Sequence, residues 1–183
     1  MNLRRLREAE GQRLALSEAL IILVNPGLPA DAVELPTAAE LESVQGFRVP
    51  PSASGLNLAV LVPKGQEALS PWIAAQFYAV AAQSGLKADF NLVLSYSYDS
   101  DQTLGVPFQI GEVCEGSGAR AVLILGPAAE SRLSSRAAEF CHAVGHILKS
   151  RGIEMGWIPH LGTRLSQPYL HALLDFAARG KEP

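Results

Sequence analysis

Three short polar stretches carry the side chains able to do chemistry. The first is KGQE, holding Lys64, Gln66 and Glu67 directly after an apolar run. The second starts at the last residue of FNLVLSY and presents Tyr96, Tyr98, Asp99 and Asp101. The third is PHLGTRLS, with His160, Thr163 and Arg164. A carboxylate, an aromatic and a histidine around one crevice suit acid–base chemistry on a small ligand. In that reading Gln66, Glu67 and His160 are the candidate catalytic residues. Lys64, Tyr96, Tyr98, Thr163 and Arg164 are candidates to bind a ligand or nucleic acid. Ordinary solvent-facing loops carry the same residue types, and that alternative stays open.

Other constellations point away from chemistry. His142 and His146 stand at i, i+4, as two ligands of one metal would, but residue 143 is Ala and no third ligand is evident. No metal and no cofactor are expected. Cys114 and Cys141 form no CxxC and read as small buried hydrophobes on helices, in a reducing compartment. His171 reads as structural, beside core residues of the last helix. Gly126 precedes Pro127-Ala128-Ala129, where tight packing or an anion at a helix N-terminus would each suit a glycine. Ser131, Ser134 and Ser135 lack the GxSxG elbow of a serine hydrolase.

The polar stretches need elements to hold them. Leu58 to Val62 is a nearly continuous apolar run closed by Pro63, as a strand buried on both faces reads. Ser70 suits an N-cap, Pro71 a first helical position, and Gly85 a helix end. Strands are expected at 57–63, 90–96, 120–125 and 153–158. Helices are expected at 70–85, 109–116, 128–149 (broken near Ser134-Ser135) and 167–179. Alternation of this kind predicts a three-layer αβα domain with a mostly parallel four-stranded sheet. In such sheets the loops after the strands converge on one edge, where ligands bind.

The chain has 183 residues, a net charge of −3 and 48% hydrophobic residues, which fits one domain with an appendage and gives no overall basic signal for nucleic acid. No apolar run approaches the ~18 residues of a membrane span. Glu8, Glu10 and Glu18 interrupt the early arginines and apolar residues that would otherwise imitate a signal peptide. A cytoplasmic location and no membrane partner are expected. Residues 1–45 read as an N-terminal helical appendage, with Thr37 as a possible cap and Glu40 and Glu42 in the first turn that follows. Residues 46–56, rich in Pro, Ser and Gly, read as a linker, and 57–183 as the α/β domain. Leu16, Leu20 and Ile21 are more apolar than an exposed tail should be. With Arg4 and Arg5 they are the expected partner-binding residues.

The order of these pieces resembles the uracil-DNA glycosylase superfamily. Leu58 to Val62 with KGQEALS looks like its first strand and water-activating loop. RAVLILGPAAESRL looks like its third strand and the small residues that follow. IPHLGTRLSQPYLHALLDF looks like its histidine loop and last helix. The resemblance implies a water-positioning role for Gln66 or Glu67 and support of a leaving base by His160. The chain departs from the pattern in having only Gly65 in the first loop and Leu161-Gly162 where Pro-Ser is usual. Those departures look more like the psi-type subunits of the bacterial clamp-loader complex, which use the scaffold without excision activity. The resemblance thus implies a non-catalytic assembly subunit of DNA replication or repair. Its partner would be another replication or repair protein, with DNA as a further possibility. A base-excision enzyme, or a nucleotide-binding doubly wound domain, is the alternative.

Overall fold

Leu58, Ala59, Val60, Leu61 and Val62 are each at most 1% exposed, so this run is covered on both faces. The computed structural model describes residues 35–86, 88–102 and 105–179. Among them the run forms β1 (Leu56–Pro63), beside β2 (Phe90–Tyr98), β3 (Ala121–Leu125) and β4 (Glu154–Ile158). The four strands make one all-parallel sheet in the order β2-β1-β3-β4. Five α-helices accompany it: α1 (Ala38–Val44), α2 (Leu69–Ser84), α3 (Val106–Gly116), α4 (Ala137–Ser150) and α5 (Ser166–Arg179).

Strand alternation sorts the core into two layers. Leu58, Val60, Val62, Leu123 and Leu125 face α2 and α5. Ala59, Leu61, Val122 and Ile124 face α3 and α4. Phe77 of α2 centres the first layer, edge-on to Phe90 with ring centroids 4.9 Å apart and tilted against Phe176 of α5 at 5.9 Å. Each such aromatic pair adds about 0.5–1.5 kcal/mol beyond its burial. The β1–β2 register slips by one residue: Leu58 pairs with Leu92 but Ala59 pairs with Leu94, leaving Val93 as the extra residue.

The α/β architecture expected from the alternation is present, with several local corrections. Ser70 does not cap α2. The helix starts at Leu69, and Ser70 lies buried in its first turn, donating its hydroxyl to Ser95. The turn's own carbonyls receive the first amides, Leu69 N–H on Gln66 and Ser70 N–H on Glu67. Gly85 does end α2, in the left-handed conformation at φ 67°. The helix expected at 128–149 is shorter. Residues after Pro127 form a turn in which the Ser131 hydroxyl donates to the Ala128 carbonyl, competing with helix. A 3-10 turn at Ser134–Arg136 then leads into α4. No helix therefore begins at Gly126. Its tightness is packing, because a Cβ there would lie 2.9 Å from Trp157 Cζ2.

The segment expected as a linker lies against the body. Asn91 of β2 accepts from the Ser52 amide at 2.7 Å and donates to the Ser52 and Gly55 carbonyls at 2.8 and 3.1 Å. Upstream, Thr37 caps α1 in a reciprocal box with Glu40. Residues 1–34, with Arg4, Arg5, Leu16, Leu20 and Ile21, lie outside the described residues.

Candidate functional site

The chain moves from β1 outward to β2, then returns past β1 to β3 and β4. The switch point of this doubly wound sheet therefore lies between β1 and β3, at their carboxyl ends. The loop after β1 turns at Gly65, whose φ of 83° suits glycine. That turn aims Gln66 across the edge. The loop after β4 opens with Pro159 and a short 3-10 turn, His160–Gly162. β3 separates β1 from β4, so their loops must span about 10 Å, two strand spacings, to meet. They meet over Gly126: Gln66 Nε2 and His160 Nε2 are 2.7 Å apart. A Cβ on Gly126 would come 3.5 Å from the His160 amide, an ordinary contact that places the start of the last loop beside the end of β3.

This contact fixes the chemistry of the ring. The amide nitrogen has only protons to give, so Gln66 donates and His160 Nε2 accepts. The imidazole is then neutral, with its proton on Nδ1. Burial lowers the His160 pKa from its ordinary value, opposed by the nearby Glu130 carboxylate. Gln66 Oε1 and His160 Nδ1 are buried without a hydrogen-bond partner among the described residues.

Glu67 is exposed and turned back on its own loop: its carboxylate accepts from the Gly65 amide at 3.0 Å. Its pKa is lowered by its own amide and by that of Gly65. Lys64 sits 3.5 Å from Asp99, so the loops after β1 and β2 share an ion pair. Asp101 accepts from the Arg132 amide at 3.3 Å, tying the second loop to the third. Tyr96 is half-buried against the α3–α4 layer.

Two of the candidate binders are core residues instead. Tyr98 is wholly buried, and its hydroxyl donates to the Leu125 carbonyl at 2.6 Å. The strand runs two residues further than expected, which places Tyr98 on the same inward face as Leu94 and Tyr96. Thr163 is wholly buried as well, and its carbonyl accepts from both Trp72 Nε1 and the Tyr169 hydroxyl. Arg164 is partly buried, and its fork is filled by Glu40, with nitrogens 2.9 and 2.7 Å from the two carboxylate oxygens. The guanidinium also lies 6.0 Å from the Trp72 ring centroid and donates to the Leu35 carbonyl.

Among the described residues no group of three metal-ligating side chains comes together. His142 and His146 are exposed on α4, and His171 is exposed on α5 rather than packed in the core. Cys114 is buried, and burial pushes its thiol up to about 12. No described helix is long and apolar enough to cross a membrane. A separate cleft of about 290 Å³ opens at the amino end of the sheet, lined by Val49, Pro50, Tyr78, Ala81, Leu86 and Phe90.

Sequence reasoning did not foresee the Gln66–His160 pairing, the Asn91 hook on the linker or the Arg164–Glu40 clamp. Only the clamp left a trace, in the Thr37-to-Glu40 spacing of a capping box. The edge brings a neutral imidazole and an amide together, and its cations Lys64 and Arg164 are each paired with a carboxylate. No protein-family model matches the chain, and comparison with curated proteins finds no match.

Proposed function

We propose that the domain is a non-catalytic interaction subunit, of the assembly type that the resemblance implies for DNA replication or repair. The observation that carries this reading is the Gln66–His160 contact at 2.7 Å. It occupies Nε2 of the ring to which the resemblance gives support of a leaving base, and Glu67, the carboxylate of the first loop, is engaged with its own turn. A general base must reach the proton it abstracts. Here His160 Nε2 and the Glu67 carboxylate are each engaged within their own chain. The same edge exposes apolar surface: Leu161, beside His160, is 50% exposed and Leu165 is 36% exposed. Apolar residues at a loop edge suit a protein partner.

The test pairs two measurements. Uracil-, hypoxanthine- and mismatch-containing DNA should remain intact with the protein. Excision that is abolished by His160→Ala would overturn the reading. In parallel, affinity capture should retain a replication or repair protein on the parent chain and lose it with Leu161→Glu. Capture unchanged by that substitution would remove the loop edge as the interface.

A second reading rests on the buried, unpartnered Gln66 Oε1 and His160 Nδ1. An acceptor on the amide and a donor on the ring, both left over, suit a small polar ligand such as a nucleobase or nucleotide. A thermal-shift screen against nucleosides and nucleotides decides it, because a ligand specific to the folded state raises stability by mass action. A shift that disappears in Gln66→Ala would favour this reading over the first.

A further inference from the structure

Helix α1 has seven residues and buries none of them. A helix of two turns does not hold itself in water, so its seat must come from outside. Three contacts supply that seat. Leu41 and Val44 are half-buried against the α2–α5 layer. Phe47 tilts against Tyr78 with ring centroids 5.6 Å apart. Arg164 grips Glu40 with both arms of its fork and takes the Leu35 carbonyl as well. The sheet is of another order, with Leu58 to Val62 and Ala121 to Leu125 essentially unexposed. Past Phe47 the chain is fixed again at Ser52, whose amide and carbonyl are both held by Asn91.

We propose that residues 35–47 are a strap that opens as a unit while the sheet stays folded, with the Arg164–Glu40 pair as its latch. Local opening draws on regions with few buried apolar contacts, and between residues 35 and 47 only Pro36 is buried. The latch is directional. A guanidinium meets a carboxylate in two parallel bonds, and neither Lys nor Gln reproduces both. Opening frees the guanidinium on the loop that carries His160, and it takes Phe47 off Tyr78 of α2. The strap's first residue, Leu35, is held by the same guanidinium through its carbonyl. This inference does not rest on the proposed function and holds for either reading of the site.

Hydrogen exchange of the full chain tests it. Glu40→Gln keeps a side chain that can complete the capping box, so it removes the charge and not the cap. Amides of Leu41 and Phe47, bonded to the Thr37 and Val44 carbonyls, should exchange together and on the order of tenfold faster in this variant. The Ser52 amide and those of β1 and β3 should keep the parent's protection. Arg164→Lys should give the same boundary. Unchanged exchange over 35–47 in both variants would eliminate the latch. Acceleration that spreads equally into β1 and β3 would show that the segment belongs to the cooperative core, and would overturn the strap.

Discussion

Burial holds the His160 ring neutral, so protonation must be driven by acid against the fold. The folded pKa lies below the ordinary 6.5, and the unfolded chain binds the proton more readily. The contribution is fully present above about pH 6.5 and is lost as pH falls towards the folded value. Protonation also sets an Nε2 proton against the Gln66 amide protons until the amide turns over. We therefore expect urea unfolding midpoints of the parent chain to fall below pH 6.5, and those of His160→Gln to fall less over the same window. Parallel pH profiles for the two chains would contradict this. His160 and Gln66 were each legible as polar residues in loops after strands. Their pairing was not, because β1 and β4 are not neighbours and no local pattern states the strand order. Arg164 and Glu40, 124 residues apart, are a stronger case of the same difficulty. Tyr98 was misplaced for a different reason. The alternation FNLVLSYSY carries the strand two residues past the expected end, and the phenol then falls on the inward face.

At the scale of elements, α5 lies on β4 with Gly156 as the point of approach. A Cβ there would collide with the Cβ of Ala172, lie 2.9 Å from Leu123 Cδ2 and lie 3.3 Å from Phe176 Cζ. These neighbours are buried and cannot swing away, so the helix or strand must shift. Gly156→Ala should cost about 1–3 kcal/mol, the usual range for overpacking. Gly46→Ala, with nothing within 4 Å of its Cβ, should stay within about 0.5 kcal/mol. Urea titration of both variants gives the comparison. Equal midpoints would mean that α5 is less closely seated than described. The existence of these elements was legible because apolar runs and helical spacing carry it. Their ends were less so: Ser70 had the chemistry of a cap, yet the carbonyls of Gln66 and Glu67 began the helix one residue earlier.

The whole molecule is organised by two alternations that the sequence does carry. Odd and even residues of β1 and β3 divide the core between the α2–α5 layer and the α3–α4 layer. Buried parallel strands read as unbroken apolar runs, which is why the class was legible. What composition could not carry is how charge is disposed. The two cations expected to meet an anion at the carboxyl edge, Lys64 and Arg164, are paired with Asp99 and Glu40 of the same chain. A net charge of −3 is silent on such pairings. The segment 35–55 shows the same limit, since its Pro, Ser and Gly residues announce a break in regular structure and say nothing of Asn91 or Arg164 holding it down.

The extra residue in β2 has a consequence for how many residues the strand can contain. Val93 occupies no position in the ladder, while Leu92 and Leu94 already face opposite layers on either side of it. Deleting Val93 would therefore leave every later side chain on its present face, whereas deleting Val60 would invert the rest of β1. The shortened chain should fold with a cooperative transition. It would also lose the irregularity in an outer strand that contains no charged residue. A straight, uncharged border is an invitation to a second copy. Sedimentation should show the Val93-deleted chain moving to larger species with concentration, beyond any such shift of the parent. If the two chains sediment alike, the slipped register is not what keeps that border to itself.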